Sequence, residues 1–400
     1  MDRLAVGIAG CGIAGLASAL VLARAGHQVT LFERFAEPQA VGSGLMIQPT
    51  GLAVLRELGL AERIMAEGAR IDRLFGCVGK RVVLDVGYAA LRGANPAFGI
   101  GIHRASLFAA LFDAVRAAGL AVQTGRAVCG SSQSGTGRSL SFEDGSVSEP
   151  FDLVIDALGT RSPLALAVGR ELPYGALWAS LDWLEDGAFS GSMLEQRYRR
   201  ASVMAGVLPI GQPRGADRGQ AAFFWSLRAD RLAAWHEAGL EAWKRDVLDL
   251  WPACAPLLDQ IAAPEQLTFA RYAHRTLPTP AEPQLLHLGD SWHSASPQLG
   301  QGANMALLDA WALGRGLKGA ATVAEGLARV VGLRQRHVRI YQALTAIFTP
   351  VYQSDSRVIP WLRDRLVGPL SRVWPAPRIQ AAMVSGLIGT PLRPLELALP

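Results

Sequence analysis

The sequence predicts an α/β fold in which one domain, assembled from three separated segments, carries an inserted sheet domain and a helical C-terminal tail. Two observations lead to this prediction. Strand and helix patterns alternate in three stretches, whereas the stretches between them contain the alternating apolar residues typical of antiparallel strands. The predicted boundaries are residues 1–70, 98–164 and 271–330 for the first domain, 71–97 and 165–270 for the inserted domain, and 331–400 for the tail.

The N-terminal stretch begins with an apolar run over residues 4–9. The turn Gly10-Cys11-Gly12-Ile13-Ala14-Gly15 and a helical pattern follow. A second apolar run then ends at Glu33-Arg34. This order of strand, glycine turn, helix, strand and acid is the one that a dinucleotide-binding, Rossmann-type unit requires.

Each residue type in this unit has a physical reason. Gly10 permits the tight turn, Gly12 lets a pyrophosphate approach the backbone, and Gly15 lets the helix pack closely against the strands. The helix N-terminus presents free N–H groups to phosphates, and Glu33 is placed to accept a hydrogen bond from a ribose hydroxyl. We therefore predict an adenine dinucleotide bound by Gly10, Gly12, Ala14, Gly15, Glu33 and Arg34.

Later segments are interpreted in the same way. Residues 105–118 and 302–317 have the apolar spacing of helices. Residues 130–137, rich in Ser and Gly, predict a linker between two hairpin-like segments. In the inserted domain, Phe223-Phe224-Trp225 alternates on a predicted strand. One face of that strand could line an aromatic pocket, and ordinary sheet core is the alternative.

The composition argues against several classes of protein. The net charge is +5, and dispersed arginines supply most of the positive charge, so we expect no nucleic-acid partner. The four cysteines lack a Cys-x-x-Cys pair, which favours a reducing, cytoplasmic location and predicts neither a disulfide scaffold nor a metal site. No apolar run is long enough to span a bilayer, and the N-terminus begins a strand rather than a signal peptide.

The pattern Gly-x-Gly-x-x-Gly occurs a second time, at residues 314–319. It follows a helix rather than a strand, so it lacks the geometry of a phosphate-binding turn. We predict a helix C-terminus ending in glycine at this point. The sequence thus contains one dinucleotide fold, and a nicotinamide donor has no obvious domain of its own.

With these motifs, the sequence resembles the single-component, FAD-dependent aromatic hydroxylases, the family built like p-hydroxybenzoate hydroxylase. Three matches carry the resemblance over most of the chain. The first is the N-terminal turn with Glu33, and the second is Arg104 followed by Leu107 and Leu111 at a helix start. The third and most specific match comprises Gly289-Asp290-Ser291-Trp292-His293, Pro297, Gly300-Gln301-Gly302, Asn304 and Asp309.

The resemblance implies roles for individual residues. Asp290 would bind a ribityl hydroxyl of FAD, and Arg104 would contact the ribityl–pyrophosphate arm. Gly44 and Leu45 would lie beside the isoalloxazine ring, and Val128 would present backbone to the adenine side. The resemblance also implies that NADPH or NADH reduces the flavin. The reduced flavin then reacts with O2 and transfers oxygen from a C4a-hydroperoxide to a small aromatic substrate.

The residues of the third match also suit this chemistry by themselves. A helix starting at Gly300–Gly302 would aim N–H groups at the negative charge of a reduced flavin. Pro297 would rigidify the turn above the ring. Pro297 and His293 are therefore the candidate catalytic residues, and a structural role is the alternative for His293.

The chain departs from the family at one position. The family carries an Asp-Gly pair after the middle strand, whereas this chain has Leu158-Gly159, with an aspartate two residues earlier at Asp156. This departure puts the nicotinamide interaction in question. An FAD-binding protein that depends on a separate reductase is therefore an alternative, and so is a non-enzymatic flavoprotein that binds FAD without turnover.

A flavin halogenase or reductase on the same fold is a further alternative. A halogenase would need a Trp-x-Trp-x-Ile-Pro stretch, which the sequence lacks, and a lysine, for which Lys80 is the candidate. The leading hypothesis is a flavin-dependent monooxygenase that is a monomer or a homodimer.

Overall fold

The computed structural model describes residues 3–39, 42–91, 97–135 and 137–399. The strands are β1 (Ala5–Ala9), β2 (Gln28–Phe32), β3 (Gly44–Ile47), β4 (Ala69–Ile71), β5 (Arg73–Val78), β6 (Arg81–Gly87), β7 (Gly99–His103), β8 (Ala121–Gln123), β9 (Val128–Ser134), β10 (Gly137–Phe142), β11 (Leu153–Asp156), β12 (Arg170–Asp182), β13 (Met193–Arg199), β14 (Val203–Pro209), β15 (Gln220–Arg228), β16 (Thr268–His274), β17 (Ala281–Glu282) and β18 (Leu285–His287).

The α-helices are α1 (Ile13–Arg24), α2 (Pro49–Glu57), α3 (Ala61–Glu67), α4 (Arg104–Ala117), α5 (Leu232–Ala238), α6 (Leu240–Leu250), α7 (Ala255–Leu258), α8 (Asp290–His293), α9 (Gly302–Leu317), α10 (Val323–Tyr352), α11 (Val358–Leu362), α12 (Gly368–Leu370) and α13 (Ala376–Val384). Within the described ranges, no helix combines the length and the apolar composition needed to cross a lipid bilayer.

The first sheet has six strands in the order β17-β18-β11-β1-β2-β8. Its neighbouring strands are parallel except for the edge pair β17–β18. Ile8 and Ile155 face a core that also includes residues of α1, α4 and α9, whereas Val154 faces the hairpin β9–β10. Both faces of the central strands are therefore covered, as expected for a parallel sheet. The chain has the predicted mixed α/β fold.

The second sheet has seven strands in the order β16-β12-β15-β14-β13-β5-β6. Strands β5 and β13 pair in parallel although about 120 residues separate them along the chain. Successive side chains of β15 point to opposite faces. Phe223 and Trp225 pack with Trp243 of α6, whereas Phe224 packs on the other face with Met46 of β3. Residues 223–225 therefore place aromatic side chains on both faces of this sheet.

A three-stranded antiparallel sheet, β3-β7-β4, lies where the two larger sheets meet. A Cβ atom at Gly44 would lie 2.5 Å from Ile210 Cγ2 and 2.7 Å from Ala222 Cβ. Glycine therefore allows β3 to contact the seven-stranded sheet directly. This contact fixes the distance between the candidate cofactor residues of β3 and the second sheet.

Helix α9 spans the predicted residues 302–317, and its last turns contain the second glycine motif. A Cβ atom at Gly314 would lie 2.3 Å from Val21 Cγ1 of α1, and one at Gly316 would lie 2.4 Å from Val330 Cγ2 of α10. These glycines therefore permit close helix packing. The prediction that this motif is the end of a helix is confirmed.

The prediction of a linker over residues 130–137 is wrong. Apart from residue 136, which lies outside the described residues, this stretch belongs to the antiparallel hairpin β9–β10. Its serines are compatible with strand structure because side chains on the solvent face of a hairpin can be polar. Residue 271 lies inside β16 and residue 331 lies inside α10, so these two elements run across the predicted domain boundaries.

Candidate cofactor and substrate site

The three glycines of the N-terminal turn differ in what surrounds them. Gly10 has φ +100°, and a Cβ atom there would lie 2.7 Å from the carbonyl oxygen of Ala157. A Cβ atom at Gly15 would lie 2.0 Å from the carbonyl oxygen of Gly10. At Gly12 the nearest such atom is 3.9 Å away. The fold itself therefore requires Gly10 and Gly15, whereas Gly12 faces open space at the start of α1.

Glu33 lies against this turn, as the sequence predicts. Its Oε2 accepts a hydrogen bond from the Cys11 N–H at 3.1 Å, and its Oε1 accepts one from the Phe35 N–H at 3.1 Å. Burial, reinforced by Glu33, raises the pKa of the Cys11 thiol to about 12, so this thiol stays neutral. Arg34 is exposed, and its guanidinium lies 4.5 Å from the centre of the Phe35 ring.

Asp290 begins α8 directly after Gly289, which has φ +57°. A Cβ atom at Gly289 would lie 3.2 Å from Ala14 Cβ of α1 and 3.4 Å from Ala306 Cβ of α9. Asp290 therefore sits between the first turns of two longer helices. Ala14, predicted as a cofactor residue, is buried in this contact rather than exposed.

Asp290 is an exposed residue, and none of the described residues donates a hydrogen bond to its carboxylate. The surrounding protein nevertheless desolvates it and raises its pKa above the usual value, against the opposing effects of His293 and Arg104. A carboxylate that is both accessible and desolvated lies in a recess. We call the space bordered by the starts of α1, α8 and α9 the recess.

The start of α9 forms another border of the recess. Pro297 is exposed at the start of a short 3-10 turn that ends at Leu299, and Gly300 links this turn to α9. Gly302 is exposed, and a Cβ atom there would meet no atom within 4 Å. No side chain caps this helix terminus, and the same is true of α1. Two helix N-termini therefore present N–H groups and partial positive charge to the recess.

The side chain of Asn304 connects strand β3 to the start of α9 by hydrogen bonds. Its Oδ1 accepts a hydrogen bond from the Gln48 N–H at 2.8 Å. Its Nδ2 donates to the carbonyl oxygens of Met46 at 3.1 Å and Gly300 at 2.9 Å. This side chain brings the predicted residues Gly44 and Leu45, which precede Met46 in β3, near Gly300 and Gly302.

Arg104 connects the recess to the second sheet. Its N–H donates to the carbonyl oxygen of Ser43 at 2.8 Å, and its side chain passes Gly42. Its charge lowers the pKa values of both Asp290 and Tyr272, although burial raises both overall. Arg104 therefore lies within electrostatic range of the carboxylate and of an aromatic residue of β16.

His293 belongs to a buried network. Its Nε2 lies 2.6 Å from Asp309 Oδ2, which also accepts a hydrogen bond from the Gly289 N–H at 3.0 Å. Asp309 Oδ1 accepts from Arg334 Nε at 2.8 Å, and Arg334 Nη1 lies 2.9 Å from His337 Nδ1. Burial alone would raise the pKa of Asp309, but the interactions with His293 and Arg334 lower it to about 2. The imidazole of His293 is thus engaged in the protein interior.

Asp156 does not take the place of the family's missing aspartate. Its carboxylate is fully buried, and its hydrogen-bond partners are Leu158 N–H, Ser162 Oγ, His287 Nδ1 and Ser291 Oγ, at 2.6 to 3.0 Å. The half-buried Leu158 packs on the apolar cluster that contains Val128. Asp156 therefore joins the loops after β11 and β18, and Leu158 contributes no charge there.

An aromatic group lies on the face of the second sheet that is turned toward β3. The rings of Trp178 and Phe224 are 4.8 Å apart, and Trp178 Nε1 donates to the Tyr272 hydroxyl at 3.1 Å. Trp178 and Phe224 belong to the cluster that also contains Met46. Of the aromatic run at residues 223–225, Phe224 is thus the residue on the side of the predicted pocket. Phe223 and Trp225 face the helices on the other side of the sheet.

Gln48 is a polar residue within this apolar cluster and only 1 % exposed. Its Oε1 accepts a hydrogen bond from the Tyr88 hydroxyl at 2.5 Å, whereas its Nε2 has no partner among the described residues. That nitrogen lies 3.5 Å from the position of a Cβ atom at Gly300. Gln48, Tyr272 and the hydrogen bonds of Asn304 could not be predicted from the sequence, because only tertiary packing distinguishes these residues from ordinary polar and aromatic ones.

Two further predicted residues are Val128 and Lys80. Val128 is buried at the start of β9 among apolar residues that include Phe32 and Phe142. Lys80, the candidate halogenase lysine, is exposed in the turn between β5 and β6. The turn lies at the edge of the second sheet, because β6 is its last strand.

Comparison with known proteins identifies similar chains. The FAD binding domain family matches residues 3–335. The chain is 27% identical over 403 residues to the aurachin C monooxygenase/isomerase of Stigmatella aurantiaca, covering 97% of this chain and 99% of that protein. It is 24% identical over 338 residues to the 6-hydroxynicotinate 3-monooxygenase of Pseudomonas fluorescens, covering 78% and 82%. The structure of Klebsiella pneumoniae HpxO with FAD and uric acid has a TM-score of 0.81 at 20% identity, covering 97% and 98%.

Proposed function

The chain belongs to the FAD-dependent aromatic monooxygenases, and we propose that it hydroxylates an aromatic or heteroaromatic small molecule with O2 and electrons from NADH or NADPH. One oxygen atom of O2 would enter the ring, and the other would leave as water. The observation that carries this proposal is the recess, where the exposed acid Asp290 lies beside two helix N-termini that no described side chain caps, and where Arg104 is within electrostatic range of both Asp290 and Tyr272. The electron donor and the oxygen-transfer route expected from the sequence are parts of the same proposal.

The residues around the recess fit FAD. Gly12 and Gly302 leave open backbone beside helix N-termini, which suits a pyrophosphate at α1 and an electron-rich ring edge at α9. None of the described residues donates a hydrogen bond to the acceptor oxygens of Asp290, which suits ribityl hydroxyls. FAD supplies the redox chemistry when it is bound, and the protein supplies binding and orientation.

In this proposal Arg104 would hold the ribityl–pyrophosphate arm, and Gly44 with Leu45 would border the ring. Pro297 would limit the space above it. Glu33, with Arg34 beside it, would bind the adenosine ribose, and the backbone near Val128 would face the adenine.

We propose a positioning role for His293. Its Nε2 is engaged with Asp309 at 2.6 Å, and the same carboxylate holds the N–H of Gly289, the residue before Asp290. The pair would therefore fix the turn from which Asp290 reaches the recess. An acid or base would instead need a ring nitrogen within reach of the substrate.

The substrate would lie between the recess and the aromatic face formed by Trp178 and Phe224. Aromatic side chains favour aromatic ligands through offset stacking and edge-to-face contacts. The unpartnered amide nitrogen of Gln48 would donate a hydrogen bond to an oxygen or nitrogen acceptor of the ligand, which would orient the ring. One named relative is a 6-hydroxynicotinate 3-monooxygenase, and 6-hydroxynicotinate is a ring compound with such acceptors, which supports this part of the proposal.

One observation favours a second candidate function, an FAD-dependent oxygenase that receives electrons from a separate reductase. Leu158 packs into an apolar cluster at the position where the family carries an aspartate, and Asp156 is fully engaged in the interior. A nicotinamide donor would therefore find no carboxylate at this point of the recess. The two candidates differ in whether NAD(P)H alone reduces the flavin.

The test is an absorbance spectrum of the purified protein, followed by anaerobic mixing with NADPH or NADH across a panel of aromatic acids and heteroaromatic phenols. We expect flavin bands that bleach faster with one class of ring compound. If neither nucleotide bleaches the flavin but the photoreduced protein still hydroxylates a ring compound in air, the separate-reductase function is correct. Purified protein that contains no flavin and takes up none would contradict both functions.

A further inference from the structure

Large apolar side chains are concentrated on one exposed stretch near the C-terminus. Over residues 358–379, the outward-facing residues include Trp361, Leu366, Leu370, Val373, Trp374 and Ile379, each at least 50 % exposed. Trp374 is 74 % exposed. We call this surface the C-terminal apolar face. Exposed apolar side chains concentrated in one segment in this way indicate a site of interaction, because burying them in a partner would be favourable.

The fold of this stretch does not depend on its outer side. The inner side is held by Arg363, which is 1 % exposed and donates hydrogen bonds to the carbonyl oxygens of Val351 at 3.0 Å and Arg200 at 2.9 Å. Gly368 lies against strand β6, with a Cβ position 3.3 Å from the Val82 carbonyl oxygen. Packing therefore explains the inner residues. The outer apolar side chains are exposed, and Trp361 contacts Arg365, whose guanidinium lies 5.3 Å from the centre of the ring.

The charges around the C-terminal apolar face indicate which partner it fits. Residues 357–379 contain five arginines and one aspartate, Asp364. Asp364 is paired with the buried Arg363 at 2.7 Å, whereas the remaining arginines, Arg357, Arg365, Arg372 and Arg378, are exposed. The rim is therefore strongly cationic. A second copy of the chain would bring two cationic rims together, which opposes self-association.

We propose that the C-terminal apolar face binds the surface of an anionic lipid bilayer. Its tryptophans and leucines would enter the boundary between headgroups and acyl chains, and its arginines would contact anionic headgroups. Tryptophan suits this depth because its ring is apolar and its indole N–H is polar. The proposal does not depend on the enzymatic function proposed above.

Docking in this way would bring the bilayer close to the substrate side of the molecule. Helix α13 carries Ile379 on its outer side, while its residues Ala381 and Val384 are buried in the cluster that contains Met46 and Phe224. An apolar ring compound dissolved in the bilayer would then have a short route to the candidate substrate site. This consequence, unlike the binding itself, rests on the proposed function.

The test is sedimentation of the full-length, flavin-loaded protein with vesicles. One set contains phosphatidylcholine alone, and the other contains equal parts of phosphatidylcholine and phosphatidylglycerol. We expect the protein to sediment with the anionic vesicles and to be released by salt. Each exposed arginine replaced by glutamine, beginning with Arg365→Gln and Arg378→Gln, should lower the partition coefficient about fivefold.

The apolar part is tested with the double variant Trp361→Ser and Trp374→Ser, which should lose binding to the anionic vesicles although all its arginines are kept. A matched control replaces two exposed apolar residues outside the face, Val147→Ser and Leu166→Ser, and should bind as the unaltered protein does. Circular dichroism and flavin content verify that each variant is folded. Unaltered protein that stays in the supernatant with anionic vesicles would overturn the proposal. So would a homodimer that the tryptophan variant converts to monomers, because the face would then be a self-association interface.

Discussion

The buried network behind the recess and the lining of the recess use the same kinds of residue in opposite ways. In the network, both oxygens of Asp309 are occupied by Gly289, His293 and Arg334. In the lining, the carboxylate of Asp290 has no hydrogen-bond donor among the described residues although the surrounding protein desolvates it. A group that the chain itself satisfies supports the fold, and a desolvated group that it leaves unsatisfied is available to a ligand.

The glycines of the N-terminal turn repeat this contrast. Added Cβ atoms at Gly10 and Gly15 would collide with backbone atoms of the chain, whereas one at Gly12 would not. Buried glutamines show it as well. Gln196 uses both ends of its amide, with Tyr198 and Met204, while Gln48 uses one end. Substitutions in the two classes should therefore differ in their effects on stability and on ligand binding.

The largest effect is expected from Asp309→Asn. The new amide would present a donor to the N–H of Gly289 and would leave Arg334 uncompensated in the interior, so the free energy of unfolding should fall by about 3–5 kcal/mol. Urea unfolding of the flavin-free protein, followed by circular dichroism, measures this. The control is Asp113→Asn, which removes an exposed ion pair with Arg63 and should cost about 0–1 kcal/mol. If both variants lowered the free energy of unfolding by the same small amount, Asp309 would not be a residue that stabilises the fold.

In contrast to Asp309→Asn, the variant Asp290→Asn should weaken FAD binding and leave the stability of the flavin-free protein unchanged. The dissociation constant for FAD should rise about 10- to 100-fold, because hydrogen bonds to a charged acceptor are lost. Unfolding of the flavin-free protein should be unchanged. Quenching of flavin fluorescence gives the affinity, and Asp259→Asn, an exposed acid after α7, controls for the change in net charge. Unaltered FAD affinity combined with lower stability would place Asp290 among the structural residues instead.

The stability of the protein should fall as the pH decreases from 7 to 5. Burial, together with the charge of Arg334, lowers the pKa of His337 from 6.5 to about 3, so the folded protein excludes a proton that the unfolded chain binds below pH 6.5. The stabilisation is fully present above pH 6.5 and is lost progressively toward pH 3. At pH 5 the free energy of unfolding should be lower by about 2 kcal/mol than at pH 7. His337→Gln should flatten this dependence in urea unfolding, and the exposed His236→Gln should not. Parallel pH profiles for all three proteins would show that His337 is not responsible.

A small effect on stability is expected from Gln48→Met. The loss of the Tyr88 hydrogen bond is offset by removal of an unpartnered buried amide, so the free energy of unfolding should change by less than about 1 kcal/mol. Binding of ring compounds with an acceptor atom, followed by flavin difference spectra, should nevertheless weaken. Gln196→Met is the matched control and should cost about 1–3 kcal/mol, because it leaves the Tyr198 hydroxyl without a partner. A ligand affinity that Gln48→Met leaves unchanged would remove Gln48 from the substrate site.

The sequence predicts best what depends on local pattern. The glycine turn, α9 and the aromatic strand β15 were all expected at the positions where they occur, because periodicity and turn residues determine them. The linker prediction for residues 130–137 was wrong, because Ser and Gly in an edge hairpin resemble those of a loop. Composition does not distinguish the two.

What could not be predicted depends on contacts between distant residues. Sequence alone gave His293 no partner, and the structure shows Asp309 and Arg334 in the same buried network. The clamp of Asn304 on β3 joins residues that are 256 to 258 positions apart. Whether a glycine or an amide is used by the chain or left for a ligand is likewise a property of the packed structure.

The most direct test of the central claim is turnover under isotopically labelled dioxygen with the panel of ring compounds and NADPH or NADH. We predict that one compound gains a single labelled oxygen atom for each nucleotide oxidised. The Asp290→Asn variant should form labelled product more slowly, in proportion to its loss of bound FAD. Nucleotide oxidation that yields only hydrogen peroxide across the whole panel, or product oxygen that comes from water, would contradict the assignment of the recess to oxygen transfer onto an aromatic ring.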